Sequence, residues 1–168
     1  MTDVQKFYEK LNPEDRAAAD VLIAADVVAV KWRPLIDLEN PSRKTPQQRA
    51  FESEADVLLY GGAAGGGKSD LLCGLAVVAH RQSLILRREG KQLAAIVDRL
   101  GQLLRSRDGY NSQRGRWTLD SKSFIDLGGC VDPGSEQSWQ GRPHDLVALD
   151  EVAQFLESQF RFLVTWCR

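Results

Sequence analysis

Long apolar runs are missing from this chain, and none approaches the roughly 20 residues that a bilayer-spanning helix requires. No membrane partner is therefore expected. Cysteine is scarce: Cys73, Cys130 and Cys167 are far apart, odd in number, and free of any C-x-x-C or Cys/His ligand spacing. That pattern argues against a zinc site and a disulfide framework, and predicts reduced thiols in a cytosolic compartment. Histidine is limited to His80 and His144, isolated residues to which the pattern assigns no chemistry. The opening "MTDVQKFYEKLNPEDR" is charged from the start and lacks both an apolar core and a small-residue cleavage site, so secretion is not expected. Internal repeats, low-complexity segments and an N-K-x-D guanine-reading motif are absent as well.

What remains is near the average of a soluble globular protein, with 168 residues, 43% hydrophobic and 27% charged. That is one domain's worth of chain, long enough for a single core. The net charge of −1 is unevenly spread. Residues 81–116 carry nine basic side chains against three acidic ones, a local excess of +6 suited either to a polyanion or to a solvated helix face.

Periodicity predicts an alternation of helices and strands. Asn12 is a candidate N-cap for a helix through "PEDRAAADVLIAADVVAV", which the prolines at 34, 41 and 46 then interrupt. Thr45 and Pro46 form an N-cap and N1 pair opening a short helix. Ala55, Val57, Leu58, Leu59 and Tyr60 read as a buried strand. After the glycine run, "SDLLCGLAVVAH" is a helix, "SLILRR" a strand and "EGKQLAAIVDRLGQLLRS" a long amphipathic helix. The alternating segments "RGRWTLD" and "KSFIDLGG" predict a hairpin, "DLVALD" a further core strand, and "EVAQFLESQFRFLVTWCR" a closing helical pattern. Together these imply an α/β fold with a mainly parallel sheet and helices on both faces.

The stretch "LLYGGAAGGGKSDLL" carries the chemistry. Gly62, Gly67, Lys68 and Ser69 satisfy G-x-x-x-x-G-K-[ST] between an expected strand and an expected helix. Gly62, Gly65, Gly66 and Gly67 would let the backbone turn its N–H groups into a concave anion site at a helix N-terminus. Lys68 would reach the β- and γ-phosphates, and the Ser69 hydroxyl would coordinate Mg²⁺. "DLVALDE" ends an apolar strand in Asp150, which would hold the same Mg²⁺ through its water shell. Glu151, one residue on, would polarise a water as general base. In a parallel sheet both motifs arrive at the carboxyl edge, which predicts a P-loop NTPase. With no guanine-reading motif, ATP is the expected nucleotide. Gln47 or Gln48, in "KTPQQRAF", would bond the adenine edge or stand as an ordinary helix glutamine.

At these residues the chain resembles the N-terminal ATPase part of the large terminase subunit of tailed bacteriophages. The similarity is carried by "TPQQRAF", "LLYGGAAGGGKSDLL", "SLILRRE" and "WQGRPHDLVALDEVAQFLESQFRFLVTWCR". It implies residues 1–41 as a variable helical N-terminal extension and 42–168 as an additional-strand, catalytic-glutamate ATPase domain. The implied activity is ATP hydrolysis coupled to translocation of double-stranded DNA into procapsids. The implied partners are a portal protein, a small terminase subunit and further copies in a ring, in the host cytoplasm at the procapsid portal. Lys68 and Glu151 carry over as catalytic residues, and Arg87 or Arg88 as a possible arginine sensor. Ala63 and Ala64 stand where many members place an arginine, so a sensor or finger must come from elsewhere. The chain stops at Arg168, before the family's coupling motif and nuclease domain, so an incomplete sheet and no nuclease are expected. Two other readings remain open: a helicase- or recombinase-like ATPase, and a non-hydrolysing remnant that binds nucleotide or subunits.

Overall fold

The computed structural model describes residues 12, 13, 15, 16, 32–63 and 65–167. The chain divides into two compact units, Met1–Lys31 and Trp32–Arg168. In the first, Asn12 caps the turn that follows it: its Oδ1 accepts the Asp15 N–H at 2.8 Å, and its carbonyl accepts the Arg16 N–H at 2.9 Å. The rest of the helix expected from Pro13 lies outside the described residues. Among those residues no helix is long and apolar enough to cross a membrane.

The second unit is an α/β structure built on a five-stranded mixed sheet in the order β2-β3-β4-β1-β5. Its elements are α1 (Pro46–Phe51), α2 (Lys68–Val78), β1 (Gln82–Arg87) and α3 (Ala94–Leu104). Then come β2 (Tyr110–Asn111), β3 (Arg116–Thr118), β4 (Phe124–Gly129), β5 (Leu146–Leu149) and α4 (Glu157–Val164). Helix α1 starts where the sequence predicts, in a capping box: Thr45 Oγ1 accepts the Gln48 N–H, and Gln48 Oε1 accepts the Thr45 N–H. Strand β1 is central and buried from Ser83 to Leu86, as an apolar run flanked by two parallel partners should be. Its alternate side chains face two cores. Ile85 joins Cys73 and Ala76 of α2 and Ile96, Val97 and Leu100 of α3, while Leu84 and Leu86 meet Leu163 of α4. Helices therefore cover both faces.

The sheet is mixed where a mainly parallel one was expected. β1 runs parallel to β4 and to β5, but β3 pairs antiparallel with both β4 and β2. The physical reason is chain length: β2, β3 and β4 are joined by turns too short for the crossover that parallel neighbours need. One of these turns is closed by Asp120, whose Oδ1 accepts the N–H groups of Lys122 and Ser123. The β3–β4 pairing is the hairpin the alternating segments predicted.

A second expectation fails. Residues 55–60 form no strand, and Val57, Leu58 and Leu59 are 60%, 46% and 78% exposed. An apolar run specifies a wish for burial, but a strand exists only where another strand answers its backbone groups. None of the described strands pairs with this segment, and β5 is the last of them in the sheet order.

Candidate functional site

The glycine loop leads directly into α2, whose N-cap is Gly67 at φ 72°. Gly62 and Gly65 also have positive φ, at 146° and 80°, so the turn uses conformations that side chains rarely adopt. At Gly67 a Cβ would also stand 2.7 Å from the Gln47 amide nitrogen. Gln47 itself is 1% exposed and engaged at both ends: its Oε1 accepts the Leu35 N–H, and its Nε2 donates to the Gly67 carbonyl at 3.0 Å. It pins the loop to the chain in front of it, and its amide faces the protein. Gln48 is engaged through its Oε1 in the α1 capping box.

Lys68 is half-buried at the first position of α2 and donates to the carbonyls of Gly62 and Ala63, each at 2.9 Å. The ammonium thus lies across the mouth of the loop, where oxygen acceptors are concentrated. One residue on, the Ser69 hydroxyl lies 3.2 and 3.3 Å from the two carboxylate oxygens of Asp150. The two motifs, separated by 81 residues in sequence, therefore meet.

Asp150 follows β5 and is 3% exposed. Parallel pairing sets Leu149 beside Leu86, so the next residues, Asp150 just past β5 and Arg87 at the end of β1, stand side by side. The Asp150 N–H continues the ladder to Leu86 O at 2.9 Å. Arg87 places Nε at 2.8 Å and Nη2 at 2.6 Å from Asp150 Oδ2, and its Nη1 donates to Gln92 O at 3.2 Å. Sequence reasoning offered Arg87 as a sensor; the ion pair with Asp150 needed the strand register, which single-sequence patterns do not carry. Arg88 points elsewhere, donating to Gln154 O at 2.7 Å.

Glu151 is exposed and sits at φ 58°, ψ 50°. A left-handed backbone at a non-glycine residue is costly and clusters at functional sites. The turn projects its carboxyl outward immediately after the buried Asp150. Beneath the loop, Asp70 ties α2 to its surroundings, accepting from Arg99 Nε at 2.6 Å and from the Trp32 indole N–H at 3.0 Å.

The oxygen donors Ser69 and Asp150 fit a hard divalent cation such as Mg²⁺, which takes one or two protein oxygens and completes its shell with phosphates and water. Among the described residues no group of three or more His, Cys, Asp or Glu side chains is arranged to hold a metal by itself. An open cleft of about 410 Å³ lies apart from these motifs, with Lys91, Val97, Arg107 and Tyr110 in its lining. Its Arg107 is ion-paired with Asp98, and it holds none of the motif residues.

No protein-family model matches the chain, and comparison with curated proteins and with solved structures likewise finds no match.

Proposed function

We propose that the glycine loop, Asp150 and Glu151 form the Mg·ATP site of a phosphate-loop ATPase of the additional-strand, catalytic-glutamate class. The observation that carries the reading is the contact between Ser69 Oγ and the Asp150 carboxylate, because two motifs that must share one cation share one place. The particular protein we propose is the ATPase module of a phage terminase large subunit. It would act on double-stranded DNA with a portal protein, a small terminase subunit and further copies of itself, in the host cytoplasm.

Lys68 would exchange its two loop carbonyls for phosphate oxygens, a stronger acceptor for an ammonium. Ser69 and Asp150 would hold Mg²⁺, which when bound supplies charge neutralisation to the phosphates. Glu151, exposed beside the cation site, would take the proton of the attacking water.

The test is equilibrium binding of a fluorescent ATP analogue with Mg²⁺, alongside ATP turnover. Lys68→Ala should weaken binding about tenfold or more, the loss of charge-assisted hydrogen bonds. Equal affinity in that variant sinks the phosphate-loop assignment. Glu151→Gln should bind normally and lose turnover; undiminished turnover removes Glu151 as the base. Nucleotide binding without turnover is the second reading, and one observation favours it. The segment entering the loop is not locked in the sheet: residues 55–60 form no strand, and Val57, Leu58 and Leu59 are exposed. Binding by the wild-type chain with no measurable hydrolysis would select it.

A further inference from the structure

We propose that Arg87 competes with the divalent cation for Asp150, so that this one side chain sets the cation affinity of the site. The inference rests on the Mg·ATP reading above and adds a residue that governs it.

The geometry is specific. Arg87 Nε and Nη2 both fall on a single carboxylate oxygen, Asp150 Oδ2, at 2.8 and 2.6 Å, and Ser69 Oγ approaches the same oxygen at 3.2 Å. A carboxylate oxygen offers about two lone-pair sites. With two N–H donors and a hydroxyl around it, Oδ2 has no lone pair left for a cation. Among the described residues, Oδ1 is approached by Ser69 alone, at 3.3 Å. Both components are shielded, the Asp150 side chain at 4% exposure and the Arg87 side chain at 19%, so solvent screens the contest weakly. A Mg²⁺ ion held by Asp150, through its water shell or directly, would bring its charge against the guanidinium. The two cations therefore bind Asp150 at each other's expense. Arg87 also has somewhere to remain when it yields: Nη1 donates to Gln92 O, in the short 3₁₀ turn Gly90–Leu93, on the side away from Asp150.

A purely structural ion pair makes a different forecast. Removing Arg87 from it would only destabilise the fold, and added cation would not help. Under competition, removal leaves a buried carboxylate that the cation can neutralise. The site then binds the cation more tightly, and the cation restores the lost stability.

The experiment uses the whole chain and Mn²⁺ as the probe, titrated by electron paramagnetic resonance without nucleotide, with thermal unfolding followed in Mg²⁺ and in chelator. Arg87→Gln should bind Mn²⁺ about tenfold or more tightly than wild type. Its melting temperature should fall in chelator and recover with Mg²⁺. Arg87→Lys keeps the charge and loses the two-pronged contact, so it should fall between the two; it carries the test if the glutamine variant does not fold. Adding Asp150→Asn to Arg87→Gln should abolish the gain. Mn²⁺ affinity equal to or weaker than wild type in both variants, or no recovery with Mg²⁺, overturns the proposal. If that result comes with normal loss of nucleotide binding in Lys68→Ala, only the competition fails and the ATP site stands. If Lys68→Ala also binds nucleotide like wild type, the underlying reading fails too.

Discussion

Two buried aspartates of this fold each hold an arginine from the neighbouring strand, in contrasting surroundings. Asp126, in the middle of β4 and 2% exposed, faces Arg116 across the β3–β4 register. It accepts Arg116 Nε at 2.6 Å on one oxygen and Arg116 Nη2 at 2.8 Å on the other, and His144 Nε2 lies 3.1 Å from that second oxygen. Its partners are two side chains from inside the sheet and its flank, with Phe124 beneath the guanidinium at 4.0 Å. Asp150 has the same arginine chemistry at a strand end, but its second partner is a hydroxyl at the start of a helix beside an exposed glycine loop. The lesson is that an Asp–Arg pair by itself says little about function. On the proposed reading, what separates the two is whether the remaining neighbours are fixed by the core or exchangeable for a ligand.

The sharpest way to break that comparison is to neutralise each carboxylate. Asp126→Asn should cost about 3 kcal/mol in urea unfolding, because Arg116 and the buried His144 lose a charged acceptor. Asp150→Asn should cost less and instead remove cation-dependent stabilisation. Equal losses in both, with no change in Mg²⁺ response, would erase the distinction between the two pairs.

Next in size is a substitution in the scaffold under the loop. Gly74 lies in α2 against Trp32, and a Cβ there would fall 2.2 Å from the indole ring. Gly74→Ala should therefore destabilise by about 1–3 kcal/mol, the range for an overpacked core. Nucleotide affinity per folded molecule should change little, since Gly74 touches neither Asp150 nor the loop glycines. A large drop in affinity at unchanged melting temperature would contradict that separation of scaffold from site.

A smaller effect follows from pH. Burial pushes the Asp126 carboxyl upward, but the hydrogen bonds from His144 and Arg116 outweigh it, and the group is held below the usual carboxylate range. A carboxyl depressed in the folded state contributes stability above its unfolded pKa of about 3.9. That contribution is lost as pH falls through the lower folded value. The stability difference between wild type and Asp126→Asn should hence be full near neutrality and shrink below about pH 4. A difference that stays constant through the acid range would show that packing, not charge, carries the Asp126 contribution.

Much of this arrangement is legible in sequence because its signals are local. Thr45 and Pro46 set the start of α1, and the apolar run of β1 and the alternation of β3 and β4 set those strands. Ser69 and Asp150 were brought together by motif logic and are in contact. The misses are non-local. Val57, Leu58 and Leu59 have every local mark of a strand and pair with none of the described strands. Sequence left Gln47 open between an adenine contact and an ordinary helix glutamine, and its burial between Leu35 and Gly67 depends on how a proline-broken segment folds back. His144, given no role from sequence, supports Asp126 from a position 18 residues along the chain. Each miss concerns which distant group answers a local preference, and that is settled by register and packing.

The finest comparison uses two thiols as reporters, one in each region. Cys73 lies in α2, one turn beyond Ser69, and is fully buried; burial, with Asp70 adding to it, pushes its pKa up to about 12. Cys130 follows β4 and is also fully buried, its thiol raised by burial and partly offset by the Ser135 hydroxyl. Cys167 is exposed. Because the thiolate is the reactive form, a thiol reagent at neutral pH should label Cys167 at once and the two buried thiols only through opening of the structure. Mass-spectrometric labelling rates then read the two regions separately. If the glycine loop and α2 form an exchangeable site, Mg·ATP should slow the labelling of Cys73 and leave Cys130 nearly unchanged. Equal slowing at both would mean that ligand stabilises the unit as a whole, and the division between a fixed and an exchangeable aspartate would not extend to the dynamics of the fold.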